Sequence, residues 1–242
     1  MTAAQLTDVS FTYAGHATPA LAHVTADVAP GEVVMVTGRS GCGKTTVTHL
    51  LNGLAGAHYE GALDGEARVG ALVAGVTPIE DYARAVGSVF QNPKTQYFHA
   101  NSTDELSFPC ENAGLPSVEI HERVRRAVLR FGIPQLLDRR IMELSGGQQQ
   151  QLAVAAATIL GPGVLVLDEP TSNLDADAMA RLHDMLAELK REGVAIVVAE
   201  HRLAWCADLV DRYLIVEDGH VRAEYTADRF AALDPDLRRA GG

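Results

Sequence analysis

Cysteine is scarce in this 242-residue chain: only Cys42, Cys110 and Cys206 are present. An odd number without metal-ligand spacing speaks against a disulfide scaffold and fits a reducing cytoplasm. Basic residues are scarce as well, with 20 Lys and Arg against 31 Asp and Glu, for a formal net charge of −11. Apart from a short cluster around Arg123 to Arg130 they are scattered. The basic footprint of a protein that tracks a phosphate backbone is therefore missing, and direct nucleic-acid binding is disfavoured. A long apolar run is missing too, because "LAVAAATILGPGVLVL" is interrupted by Gly161-Pro162-Gly163 and reads as a buried helix, a turn and a buried strand. The first residues, "MTAAQLTDVSF", carry neither the basic n-region nor the apolar core of a secretory signal. A soluble, cytoplasmic chain is the expectation.

What the chain does have is apolar content, 47% of residues, enough to bury a sizeable core. The first thirty or so residues alternate ("LTDVSFTY", "LAHVTADV") with turn signals at Ala14-Gly15 and Pro30-Gly31, which predicts a small antiparallel sheet. "VVMV" then runs into "TGRSGCGKTT" and on to Val47, Leu50, Leu51 and Leu54 at helical spacing, so strand, glycine loop and helix follow in order. Residues from Pro93 to Gly163 are rich in helical patterns. Among them, "VEIHERVRRAVLRFG" places Ile120, Val124, Val128 and Phe131 on one face and stops at Gly132 and Pro134. Strand and helix then alternate: "VLVL", an amphipathic helix from Ala178 to Lys190, "VAIVVA", and a helix through Trp205. This predicts a largely parallel sheet. "YLIVEDGHVRAEY" closes as a hairpin around Asp218-Gly219.

Gly38 to Thr45, "GRSGCGKT", fits G-x-x-x-x-G-K-[ST] between a buried strand and a helix. Glycines at 38, 41 and 43 let backbone N–H groups converge on phosphate oxygens, Lys44 supplies a charge and Thr45 a magnesium ligand. An incidental lysine on a strand-to-helix turn is the competing reading, and the context on both sides disfavours it. "VLVLDEP" ends a buried strand in Asp168-Glu169, at the sheet end where α/β folds hold ligands. Asp168 is expected to hold Mg²⁺ and Glu169 to polarise water. Gln91 has an amide suited to sensing Mg²⁺ and water, or is a surface turn residue. His201, at a strand end after "VVAE", is expected at a γ-phosphate, though a packing histidine is an equal reading of it alone. In "LSGGQQQQLAVAAA", Ser145-Gly146-Gly147 opens a second helix toward an anion. Two such loops in one chain imply a head-to-tail pair in which each chain completes its neighbour's site. Of the four glutamines only Gln148 is expected to be functional; the others read as polar filling of a first helical turn.

With these motifs on one chain, the sequence resembles an ABC-type ATPase subunit over nearly its whole length. The matching parts are a Walker A at Gly38 to Thr45, a Q-loop at Gln91, the "LSGGQ" signature at Leu144, Ser145, Gly146, Gly147 and Gln148, and a Walker B at Val164 to Asp168 followed by Glu169. "SNLD" at Ser172 to Asp175 matches the D-loop, His201 the switch histidine, and Tyr13 the aromatic platform for adenine. The resemblance implies an α/β fold: a P-loop NTPase (RecA-like) core with an N-terminal antiparallel β subdomain and a helical insertion subdomain. It implies one ABC ATPase domain over residues 1–242, with 1–92 and 164–242 forming the β subdomain and core and 93–163 the helical subdomain with the signature.

It further implies ATP and Mg²⁺ as ligands. Tyr13, Gly38, Ser40, Gly41, Cys42, Gly43, Lys44, Thr45 and Thr46 would bind ATP; Thr45, Gln91 and Asp168 would surround the metal. Glu169, His201, Gln91 and Lys44 would carry the catalysis, and Ser172 and Asp175 the D-loop. "SVFQNPKTQYF", "LLNGL" and "AEHRL" are similar to ATPases of energy-coupling factor importers of vitamins or transition-metal ions. That likeness implies a second ATPase subunit, like or unlike, a transmembrane coupling subunit, a substrate-binding membrane subunit, and a peripheral place on the cytoplasmic face of the membrane. Asn92 to Phe98 would face the membrane partner. Gln151 stands where the family usually has Arg or Lys, and "EHRL" replaces Thr-His-Asp. The alternatives are the ATPase of a conventional ABC importer or exporter, or a soluble ABC assembly protein.

Overall fold

The structure is a computed structural model that describes residues 2–233; Met1 and residues 234–242, the end of the expected 164–242 segment, lie outside the described residues. In chain order the elements are β1 (Ala4–Tyr13), β2 (Leu21–Val28), β3 (Val33–Thr37), α1 (Lys44–Leu51), β4 (Gly61–Val69), β5 (Leu72–Val73), α2 (Ile79–Ala85) and β6 (Val86–Val89). Then come α3 (Ser102–Asn112), α4 (Ser117–Phe131), α5 (Gly146–Thr158), β7 (Val164–Asp168), α6 (Ala176–Arg191), β8 (Ala195–Ala199), β9 (Arg212–Glu217), β10 (His220–Thr226) and α7 (Ala227–Ala231).

The strands form two sheets. One is antiparallel, in the order β2-β1-β4-β5, so the expected opening hairpin gains two later strands that the alternation of the first thirty residues did not reveal. The other has the order β10-β9-β3-β8-β7-β6, with β9, β3, β8, β7 and β6 all parallel and β10 an antiparallel edge. Both faces of this sheet are covered, and the strand sequences say why: β3, β7 and β8 are buried along their length and apolar except for Thr37 and Asp168 at their ends. Along β3, Val33 and Met35 enter the core shared with α3 to α6, while Val34 and Val36 enter the core shared with α1 and the antiparallel sheet. Leu165 and Leu167 of β7 divide from Val164 and Val166 in the same way.

Helix ends follow local chemistry. Asn101 caps α3 by accepting from Thr103 N at 2.7 Å, and Gly132 ends α4 at a φ of 62°. Two expectations need correction. No α-helix runs through Trp205; a single 3₁₀ turn, Ala204–Cys206, follows β8, and the loop before it is held by Glu200, which accepts from His201 N and Arg202 N. Leu54 lies beyond α1, which stops at Leu51 before Asn52-Gly53.

Candidate functional site

The glycine loop joins β3 to α1. Gly38 has a φ of 151°, and a Cβ there would sit 2.0 Å from the Val216 carbonyl oxygen; at Gly43, φ 113°, it would sit 2.7 Å from that of Ala20. The loop is thus wedged between two hairpins, and Gly219 N adds a 3.0 Å hydrogen bond to Cys42 O. Gly43 caps α1 without a side chain, which leaves the first N–H groups of the helix open to an anion. Lys44, buried, donates Nζ to Gly38 O at 2.8 Å and Arg39 O at 3.1 Å, which lays the ammonium across the loop.

Four strand ends converge beside this loop. β3 delivers Gly38, β6 leads to Gln91, β7 ends in Asp168, and β8 leads to His201, all parallel, so their carboxyl ends share one edge of the sheet. Asp168 Oδ1 is buried and has no hydrogen-bond partner. Burial pushes the Asp168 carboxyl above its usual range, while the adjacent Thr45 hydroxyl and Lys44 ammonium oppose that rise. An orphaned carboxylate oxygen beside a threonine hydroxyl is a hard-donor arrangement that suits Mg²⁺. Glu169 has a φ of 43°, a left-handed conformation that costs about 1–2 kcal/mol for a residue with a Cβ. That turn aims its carboxylate between two neighbours: Gln91 Nε2 donates to Oε2 at 2.8 Å, and His201 Nδ1 lies 3.9 Å from Oε1.

Tyr13, at the end of β1, is half buried. Its hydroxyl lies 3.1 Å from Thr46 Oγ1 and 3.2 Å from His49 Nδ1, and its ring meets Phe11 edge-on at 4.9 Å. Burial raises its hydroxyl pKa. Tyr59 stacks on His49 at 4.2 Å, so α1 is flanked by an aromatic wall of which sequence reasoning found only Tyr13.

The second loop is built differently. Ser145 caps α5 in a reciprocal box: its hydroxyl accepts from Gln148 N at 3.3 Å, and Gln148 Oε1 accepts from Ser145 N at 2.9 Å. Leu144 is buried, Ser145 and Gly146 are exposed, and a Cβ on Gly147 would lie 2.4 Å from Ala178 Cβ on α6. Among the described residues no hydrogen bond joins residues 144–148 to residues 38–46. Within this chain the two loops are separate. Gln149, Gln150 and Gln151 correct the expectation of polar filling, for all three are buried. Gln149 Nε2 donates to Ile141 O at 3.0 Å and Leu144 O at 3.2 Å, bracing the approach to Ser145, whereas the buried Gln150 Nε2 has no hydrogen-bond partner. Of the "SNLD" residues, Asp175 caps α6 by accepting from Ala178 N at 2.8 Å, and Ser172 N donates to Glu169 O at 3.1 Å. Glu200, overlooked in the sequence, is fully buried beside His201; the signal was a carboxylate closing the apolar strand "AIVVA".

Comparison with known proteins places this geometry in a family. The family model described as ABC transporter matches residues 21–172. A putative ABC transporter ATP-binding protein of Treponema denticola is 39% identical over 231 residues, 96% of this chain and 47% of that relative, so the chain spans about half the length of that relative. One of Synechocystis sp. is 33% identical over 240 residues, 99% of this chain and 80% of the relative. Among solved structures, cbiO1 from Clostridium perfringens, described as part of the ABC transporter complex cbiONQ, is 28% identical with a TM-score of 0.85, over 98% of this chain and 94% of that one. A dimeric ATP-binding cassette in a post-hydrolysis state with ADP and Pi shares the fold, at a TM-score of 0.78 and 22% identity, over 93% of this chain and 98% of that one. The chain carries the P-loop NTPase fold of these cassettes and belongs to the ABC transporter ATP-binding family.

Proposed function

We propose that this chain is an ABC-type ATPase subunit that binds and hydrolyses ATP and drives a membrane transporter by closing head-to-tail on a second ATPase subunit. The observation that carries the reading is the separation of the two loops: Lys44, Asp168, Glu169, Gln91 and His201 converge, while Ser145 to Gln148 present an open helix N-terminus elsewhere. In the pair, Gly38 to Thr46 hold the triphosphate of one site and Tyr13 adjoins the base. Ser145, Gly147 and Gln148 of the facing chain, at the N-terminus of α5, cover the γ-phosphate and exclude water. Thr45, Asp168 and Gln91 would hold Mg²⁺, which neutralises phosphate charge when bound. Glu169 orients the attacking water and takes its proton, Lys44 and His201 stabilise charge on the transferred phosphoryl group, and Gln91 keeps Glu169 in place. Loss of the bridging γ-phosphate removes the contacts that favour closure, and the pair reopens.

The finer reading is an energy-coupling factor importer of a vitamin or transition-metal ion, supported by the likeness to cbiO1 and by "SVFQNPKTQYF". Residues 93–163 form its helical subdomain. Between α2, α3 and the segment after Gln91 lies a cavity of about 610 Å³ lined by Ile79, Phe90, Phe98, Phe108 and Leu160, with Phe98 77% exposed. That apolar groove suits a helix of the transmembrane coupling subunit, with the substrate-binding subunit beyond it. Peripheral attachment to the cytoplasmic face of the membrane is part of this reading; no helix among the described residues is long and apolar enough to cross a membrane.

Glu169→Gln tests the core of this reading. The variant keeps ATP affinity, loses at least about 100-fold in turnover, as removal of a general base does, and accumulates as a closed pair in sedimentation with ATP and magnesium. Undiminished steady-state hydrolysis would remove Glu169 from its role.

A further inference from the structure

The strand β8 ends in a carboxylate that the reaction scheme above does not use. Glu200 is fully buried, a placement a carboxylate tolerates only when donors surround it. Its two oxygens divide those donors between two loops. Oε1 accepts from His201 N at 2.8 Å and Arg202 N at 3.1 Å, and lies 3.1 Å from His201 Nδ1. Oε2 accepts from the Thr171 hydroxyl and from Thr171 N at 3.3 Å. Thr171 sits two residues after Glu169, in the turn where Ser172 N bonds back to Glu169 O at 3.1 Å. One buried group therefore ties the loop after β8 to the loop after β7.

Resting on the reading of this site as an ATPase, we propose that Glu200 is the positioning residue of His201, fixing its ring through Nδ1 and locking it to the turn that carries Glu169. A carboxylate oxygen only accepts, so one lying 3.1 Å from Nδ1 favours the form of the ring that carries a proton there. Nε2, with no protein partner among the described residues, is left as the nitrogen that meets a phosphate oxygen. The distances also separate two acids: His201 Nδ1 is 3.1 Å from Glu200 and 3.9 Å from Glu169. Glu200 thus occupies the imidazole edge that would otherwise pair with Glu169, and Glu169 keeps an oxygen for water. The logic is that of an outer carboxylate that orients a working histidine.

Glu200→Gln has nearly the same shape but only one acceptor oxygen, so either Thr171 or the His201 loop loses its partner. In the full chain with its membrane partners, kcat falls at least about tenfold while KM and the affinity for a non-hydrolysable ATP analogue stay within about twofold. Because Glu200 acts through His201, adding Glu200→Gln to His201→Ala changes kcat by less than about twofold. A purely structural carboxylate would instead multiply the two losses or weaken nucleotide binding, and either result overturns the proposal, as does an unchanged kcat. A second measurement needs no turnover: ¹⁵N spectra of histidine-labelled, nucleotide-free protein at about pH 8.5, with His201→Ala to identify the signal, give the Nδ1–H tautomer for His201. The Nε2–H tautomer overturns the pairing. If the wild-type complex hydrolyses no ATP, the ATPase reading fails, and the tautomer still decides the Glu200–His201 pair.

Discussion

Two stretches of this chain have the same outline, glycines running into a helix, and they are built in opposite ways. Gly38 to Thr45 is a closed nest: its glycines take positive φ, it is wedged between two hairpins, and it holds a buried ammonium of its own. Leu144 to Gln148 is an open end: a capping box fixes Ser145, none of its own five residues is a cation, and Gly147 serves close packing on α6. The difference teaches what each is for. A nest with its own lysine can gather a polyphosphate by itself. A rigid, exposed helix end has only dipole and N–H groups to offer, typically about 0.3–1 kcal/mol of charge interaction at a surface, so it adds to an anion that something else already holds.

Substitutions in the two loops sharpen that contrast. Lys44→Ala has the largest effect after Glu169→Gln: a hydrogen bond to a charged group is worth about 1.5–3 kcal/mol, so the isolated chain binds an ATP analogue about 10- to 100-fold more weakly by equilibrium titration. Equal affinity in variant and wild type would mean that the first loop does not gather its ligand through this charge. Gly147→Val acts on stability instead. With Ala178 Cβ only 2.4 Å from the added atom, the overpacking cost of about 1–3 kcal/mol exceeds the few tenths gained in helix propensity. Its urea midpoint falls, whereas Gly146→Ala, whose nearest neighbour is 3.6 Å away, is close to neutral. Equal midpoints for the two would sink the packing role given to Gly147.

The remaining effect concerns the wall beside the nest. Burial, with a contribution from His58, lowers the pKa of His49 from 6.5 to about 4. Between those values the unfolded chain binds a proton that the native chain does not, so stability declines as pH falls from about 6.5 toward 4. His49→Asn gives a flatter denaturation profile over that window; an unaltered slope would mean that His49 is protonated in the fold.

Much of the site was legible because its chemistry is local. A strand running into G-x-x-x-x-G-K-T fixes the first loop, and Asp168-Glu169 at the end of an apolar strand fixes the acids, whatever the rest of the chain does. The glutamines misled because period and composition do not report depth: α5 is buried on all sides, so Gln149 to Gln151 look like surface filling in sequence and lie in the core. β4 went unread because its partner, β1, lies about fifty residues before it, and β5 is a two-residue strand paired only with β4. The helix expected through Trp205 shortens to a single 3₁₀ turn, a distinction that apolar spacing over so few residues does not carry.

By itself, the sequence determined which groups reach the strand ends, since a parallel strand delivers whatever follows it to the same edge of the sheet. Only the tertiary structure decided how those groups are joined: Gln91 to Glu169, and Glu200 to both His201 and Thr171. The reason is that Gln91 and Glu169 are 78 residues apart and Thr171 and Glu200 are 29 apart, and no propensity or period carries information about which distant loops a carboxylate will bring together.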